Sequence, residues 1–117
     1  MRASTFGDVG LNYIVDSGVE IFFDNSRKAY TSSDGLRLDD NLRLDDNKQI
    51  RLGTGEDLKI YHDGTHNRYD STNGAHIFRT AGNDNQIFMS PNLSVEIYYD
   101  GSKKLKTNSK KWLDRLM

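Results

Sequence analysis

Hydrophobic and polar residues alternate in short runs along this chain, and three of those runs are versions of one sentence. Val19-Glu20-Ile21-Phe22-Phe23-Asp24-Asn25-Ser26, Leu58-Lys59-Ile60-Tyr61-His62-Asp63-Gly64-Thr65 and Val95-Glu96-Ile97-Tyr98-Tyr99-Asp100-Gly101-Ser102 begin 39 and then 37 residues apart. Each reads aliphatic, charged, Ile, aromatic, aromatic or His, Asp, Gly or Asn, Ser or Thr. A period of two is the period of a strand with one covered face. Asp-Gly and Asp-Asn then close the strand, because these residues tolerate the positive φ of tight hairpin turns. After the turn, Ser26-Arg27-Lys28-Ala29-Tyr30-Thr31 matches Ser102-Lys103-Lys104-Leu105-Lys106-Thr107. The repeating unit is therefore strand, tight turn, strand, and repetition is the first fact about the chain to settle.

The same reading places further strands at Leu11–Val15, Ala75–Thr80 and Gln86–Met89, with the single proline, Pro91, at a turn or an edge. Between Leu36 and Gly53 a shorter repetition intervenes. Leu36-Arg37-Leu38-Asp39-Asp40-Asn41 is followed by Leu42-Arg43-Leu44-Asp45-Asp46-Asn47 and then by Lys48-Gln49-Ile50-Arg51-Leu52-Gly53. An aliphatic–Arg–aliphatic triplet puts both aliphatics on one face of a short strand. Turned at acidic corners, the triplets predict a small β-coil, either single-chain or wound from three chains. So few coils bury little on their own, which favours the multi-chain form. Residues 109–117 depart from the pattern. Ser109 is a helix cap in type, and Trp112, Leu113, Leu116 and Met117 share one side at helical spacing. The expected division is thus a β-repeat domain over 1–108 and a short amphipathic helical tail over 109–117.

Composition sharpens this picture in one respect. Of 117 residues only 35% are hydrophobic, and mean hydropathy is −0.76. That is little apolar material for a compact single-chain core, and it suits thin β-structure partly covered by neighbouring subunits. Val19, Ile21, Leu58, Ile60, Val95 and Ile97 are the expected packing positions, at contacts between chains or sheets. The net charge of −1 is unevenly spread: from Ser102 onward there are six basic residues and one acid. No nucleic-acid-binding motif accompanies that basic end, so a solvated surface is expected and nucleic acid is not. No apolar run approaches the ~18 residues of a membrane span, and Met1–Gly7 lacks the apolar core of a secretory signal.

Candidate chemistry is sparse. There are no cysteines. His62 and His66, with His76 able to join them, are the histidine candidates for a metal, but His62 and His66 straddle the Asp63-Gly64 turn, and His62 stands where the sister copies carry Phe23 and Tyr99. A packing or surface position is expected for His62, with no metal and no cofactor. The acidic corners have calcium-like composition without a calcium-binding spacing. No nucleophile elbow, P-loop or dinucleotide fingerprint is present, and no enzyme is expected. Phe23, His62 and Tyr99 form a candidate ligand surface, for stacking against sugar rings or a protein.

The stretch Asp57–Thr65, followed by Val95–Thr107, resembles recurring segments of tail-fibre-like virion proteins of marine tailed bacteriophages, particularly those infecting cyanobacteria; the similarity covers about residues 17–108. The resemblance implies an all-β, elongated protein of repeated hairpins and short coils, an intertwined homotrimeric β-helix or β-prism. It also implies a virion structural role, as a short trimeric fibre, spike or appendage made in the host cytoplasm and assembled onto the particle. Its partners would be itself, other phage structural proteins and a host surface polysaccharide, with Trp112, Leu113, Leu116 and Met117 as the candidate virion anchor. A receptor-binding module for host surface glycan and a head decoration protein are the alternatives.

Overall fold

The structure, a computed structural model, describes residues 9–109. Eleven strands are present among them, and no helix. The chain divides into two compact units, Met1–Arg43 and Leu44–Met117.

The first unit holds one four-stranded antiparallel meander: β1 (Leu11–Ile14), β2 (Gly18–Phe23), β3 (Ser26–Ser32) and β4 (Gly35–Leu38), paired in chain order. The second unit holds two sheets. One is β5 (Ile50–Leu52), β6 (Leu58–His62) and β7 (Asn67–Ser71). The other is β8 (His76–Arg79), β9 (Asn85–Met89), β10 (Val95–Tyr99) and β11 (Ser102–Lys106), again paired in chain order. The three repeats are the hairpins β2–β3, β6–β7 and β10–β11.

Local chemistry explains the first and last hairpins in the same way. Asp24 and Asn25 have φ of 49° and 58°, and Asp100 and Gly101 have 49° and 68°. Two consecutive positive φ values make the tight turn whose twist matches the flanking strands. Beyond the turn each hairpin carries one extra residue on its second strand. Register shifts between Ile21 and Phe22 and between Ile97 and Tyr98 leave Lys28 and Lys104 as the unmatched residues. Such a bulge bends and twists the pair locally. Each hairpin is then closed by a threonine: Val19 N–H donates to Thr31 Oγ1 at 3.0 Å, and Val95 N–H to Thr107 Oγ1 at 3.0 Å.

The central hairpin differs, against the expectation of a tight Asp63-Gly64 turn. Its strands pair without a bulge, from Leu58↔Ser71 to His62↔Asn67, leaving a four-residue loop, Asp63–His66. This copy has one residue more between its paired Ile60 and Tyr69 than the first has between Ile21 and Ala29. Asp63 organises the surplus. Its Oδ1 accepts from the N–H groups of Thr65 (2.9 Å) and His66 (2.7 Å), and its N–H donates to His66 O at 3.0 Å.

Two expectations are overturned. The sheets are three open antiparallel meanders, and none curls or closes as a β-helix or β-prism requires. The coil predicted over Leu36–Gly53 does not form either. Its first triplet is β4, the edge strand on β3. Its third is β5, the edge strand on β6. The second, Leu42-Arg43-Leu44, belongs to no strand. The physical reason is that an aliphatic–Arg–aliphatic triplet is half-apolar by alternation, and so suits an outer strand as well as a coil. The helix expected over 109–117, with Trp112, Leu113, Leu116 and Met117, lies outside the described residues apart from Ser109.

Replacing Gly101 by Val places a β-branched side chain at φ 68°. The expected cost is about 1–2 kcal/mol in chemical denaturation, whereas Asn25→Gly, at φ 58°, is expected to leave stability equal or slightly raised.

Candidate interaction faces

Cross-strand register sorts every sheet into two unlike faces. In the first sheet Leu11, Ile21, Ala29 and Leu38 form one row across all four strands. Tyr13, Val19 and Leu36 lie on the same face by alternation. In β5–β7 the corresponding rows are Ile50, Ile60 and Tyr69, then Leu52 and Leu58. In β8–β11 they are Phe78, Ile87, Ile97 and Leu105, then His76, Met89 and Val95. All six packing positions expected from the sequence fall on these apolar faces.

Among the described residues these faces are largely uncovered. Burial is confined to one apolar residue among those described: Ala29 is buried, while Ile21, Leu38, Ile50, Ile87, Ile97 and Leu105 are each more than a third exposed. In the second unit Leu58 and Tyr69 of one sheet and His76, Phe78 and Met89 of the other line a hollow of about 550 Å3, together with Ile77. Its lining is apolar apart from the imidazole of His76 and the hydroxyl of Tyr69.

The aromatic pair in each repeat divides between the two faces. Phe23, His62 and Tyr99 follow Ile21, Ile60 and Ile97 at a spacing of two and extend the apolar faces toward the hairpin ends. Phe23 is 74% exposed and Tyr99 72%. Phe22, Tyr61 and Tyr98 lie on the opposite faces and are half-buried. Alternation alone carries this division.

The opposite faces are held by charge. On the first sheet Glu20 accepts from Asn12 Nδ2 (3.0 Å) and Arg27 (2.7 Å); Arg27 also donates to Asp39 (2.7 Å) and lies 4.0 Å over the Tyr30 ring. On the last sheet Glu96 accepts from Tyr98 Oη (2.6 Å) and Lys103 Nζ (3.1 Å), with Lys106 Nζ at 3.7 Å. The Asn12 and Arg27 hydrogen bonds hold the Glu20 carboxyl below its ordinary range, and those from Tyr98 and Lys103 do the same for Glu96. The bond to Glu96 in turn pushes the Tyr98 phenol upward. The central copy inverts the sign. Lys59 stands where the others have Glu, opposite Asp70 and 3.9 Å from Glu56, while Tyr61 Oη donates to Asp70 at 2.8 Å.

This bonding commits Glu20, Glu96 and Tyr98 to structure. Asp63 is the clearest case. Backbone N–H of His66, the guanidinium of Arg68 at 2.6 Å and backbone N–H of Thr65 lower its pKa to about 2. A cation between His62 and His66 would compete with Arg68 for that carboxylate. His62 Nδ1 is 3.0 Å from Asn67 Oδ1, and His66 Nδ1 is 4.0 Å from Asp63. No group of three His, Cys, Asp or Glu gathers among the described residues. The acidic corner Asp39-Asp40 is engaged by Arg27 and Lys28. No described helix is long and apolar enough to cross a membrane.

No family model, no curated protein and no solved structure matches the chain.

Asp63→Asn is expected to loosen the β6–β7 hairpin at neutral pH, read as faster amide exchange at Thr65 and His66. Because the folded pKa is depressed, the stabilisation is complete above the unfolded carboxylate value of ~3.9 and is lost as pH falls through about 2. The difference between variant and parent should therefore close across that window.

Proposed function

We propose that the chain is a non-catalytic structural component of a bacteriophage particle, assembled from several copies into a short fibre, spike or appendage. Three copies is the number that the resemblance to phage fibre proteins favours. The observation that carries the reading is that three sheets each present an apolar face left largely open among the described residues. A sheet face of this kind requires a second layer. Other copies of the chain supply it, with further virion proteins at the ends of the assembly.

The energetics favour this arrangement. Each aliphatic side chain taken fully out of water contributes ~1.5–3 kcal/mol, and Val19, Ile21, Leu58, Ile60, Val95 and Ile97 recur in every copy. Assembly also covers strand edges that otherwise invite uncontrolled pairing. The motif shared with tail-fibre-like virion proteins supports the location on a phage particle.

A second reading is adhesive. Phe23 and Tyr99 are the most exposed large rings on the repeated hairpins, placed to stack on sugar rings of a host surface polysaccharide. Tyr99→Ala separates the two roles. Loss of polysaccharide binding with unchanged assembly mass would assign the ring to a glycan, and loss of assembly would assign it to contacts between copies.

Ile60→Asp puts a carboxylate in the middle of the central apolar row. Sedimentation velocity should show smaller species for this variant, while Thr54→Asp, in the exposed turn before β6, should sediment as the parent does. An Ile60→Asp chain of parental size and stability would contradict the assignment of that face to contacts between copies.

A further inference from the structure

Two strand edges that the repeat makes equivalent are treated differently by the chain. β3 and β11 pair with their preceding strands through the same turn and the same bulge, and each is followed or closed by the same threonine bond. On its other side β3 is covered by β4. Leu38 pairs with Ala29, Asp39 N–H donates to Lys28 O at 3.0 Å, Arg27 donates to Asp39 at 2.7 Å, and Lys28 donates to Asp40 at 2.7 Å. β11 is the outermost strand of its sheet. Lys103 reaches Glu96 as Arg27 reaches Glu20, but nothing stands where Asp39 and Asp40 stand, and Lys104 makes no ion pair among the described residues. Leu105, at the place of buried Ala29, is 58% exposed.

The chain carries a second copy of the covering strand. Leu42-Arg43-Leu44-Asp45-Asp46-Asn47 repeats Leu36-Arg37-Leu38-Asp39-Asp40-Asn41 residue for residue. Leu42 to Asp45 forms no strand, its side chains are exposed, and Arg43, Asp45 and Asp46 make no ion pair among the described residues. Asn47 N–H donates to His62 O at 2.8 Å, so the segment's end is held at β6, while β11 is the far edge of the other sheet.

We propose that Leu42–Asp46 of one copy adds as an antiparallel strand to β11 of a second copy, in the register that β4 holds on β3. This rests on the self-assembly reading above. Leu44 then lies opposite Leu105 and continues the row Leu105, Ile97, Ile87, Phe78. Asp45 meets Lys103, and Asp46 meets Lys104. Arg43 falls opposite Lys106, whose charge Glu96 already faces at 3.7 Å. Main-chain hydrogen bonds supply the attachment, as in other strand additions to an open edge, and the acid–base pairs fix the register. The contact joins two different surfaces, so each copy both gives and receives a strand. Contacts of that kind close into rings when the rotation permits.

The chain has no cysteine, so engineered ones report cleanly. The Asp39 N–H to Lys28 O bond flanks the Ala29–Leu38 pair, which makes it the close, non-hydrogen-bonded kind, about 4.5 Å between Cα atoms and within disulfide reach. Leu44→Cys and Leu105→Cys chains, mixed and mildly oxidised, should give a disulfide dimer with one chain of each. It should form several-fold faster than with Arg43→Cys in place of Leu44→Cys. Asp45→Lys with Asp46→Lys should slow it, and Lys103→Asp with Lys104→Asp should restore it. A mixed pair no faster than the Arg43→Cys control, from an unmodified chain that is oligomeric, overturns this contact and leaves self-assembly standing. A monomeric unmodified chain without the disulfide overturns both. A bridge that forms within a single chain carrying both cysteines overturns the second copy as the occupant.

Discussion

Strand alternation with no buried core among the described residues beyond Ala29 is the constraint on which this structure depends. In every sheet one face carries most of the aliphatic residues and the other most of the charged ones, with Ile14 and Ile77 on the charged side, and among the described residues Ala29 is the one buried apolar side chain. The charged side is self-sufficient. Glu20, Lys59 and Glu96 each sit among partners supplied by neighbouring strands. Half of each sheet is thus completed by its own hydrogen bonds, and the other half is left largely open among the described residues. A soluble monomer rarely leaves large apolar patches open, and the assembly proposed here follows from that imbalance.

Most of the ion pairs are too exposed to hold the fold, Glu96 being the buried exception. Exposed pairs contribute little each. Their effect is on register: Glu20 with Arg27 and Glu96 with Lys103 tie the bulged hairpins at the same point. The turns add a second fixed point, since Asp24-Asn25 and Asp100-Gly101 accept the positive φ their geometry demands. Together they determine which residues face the apolar side, because a slip of one residue would turn every side chain over.

Much of this was legible in the sequence. Alternation and Asp-Gly or Asp-Asn turns located the first and last hairpins and the six aliphatic positions, because both signals are local; the return strand of the central copy, β7, fell in a stretch that reads as polar and turn-rich. That Phe23, His62 and Tyr99 lie on the side of their neighbouring isoleucines was not read from the sequence, although alternation carries it. Pairing was less legible. Leu36-Arg37-Leu38, Leu42-Arg43-Leu44 and Ile50-Arg51-Leu52 look alike, yet they become an edge on β3, an unpaired linker and an edge on β6. A triplet states which side is apolar and not which strand it joins. The central loop was hidden for a related reason: Asp63-Gly64 reads as a two-residue turn, and the Asp63 bonds to the N–H groups of Thr65 and His66 that lengthen it depend on one additional residue between the strands. The closed β-helix failed on the same point, since closure is a long-range property that repetition alone does not specify.

The most direct measurement is the mass of the unmodified chain in solution, by light scattering over a range of concentrations. The account predicts a stable species of about three times the 13.4 kDa chain mass, with strand structure by circular dichroism. A folded monomer of 13.4 kDa that persists at high concentration would contradict it, because the apolar faces would then be tolerated in water.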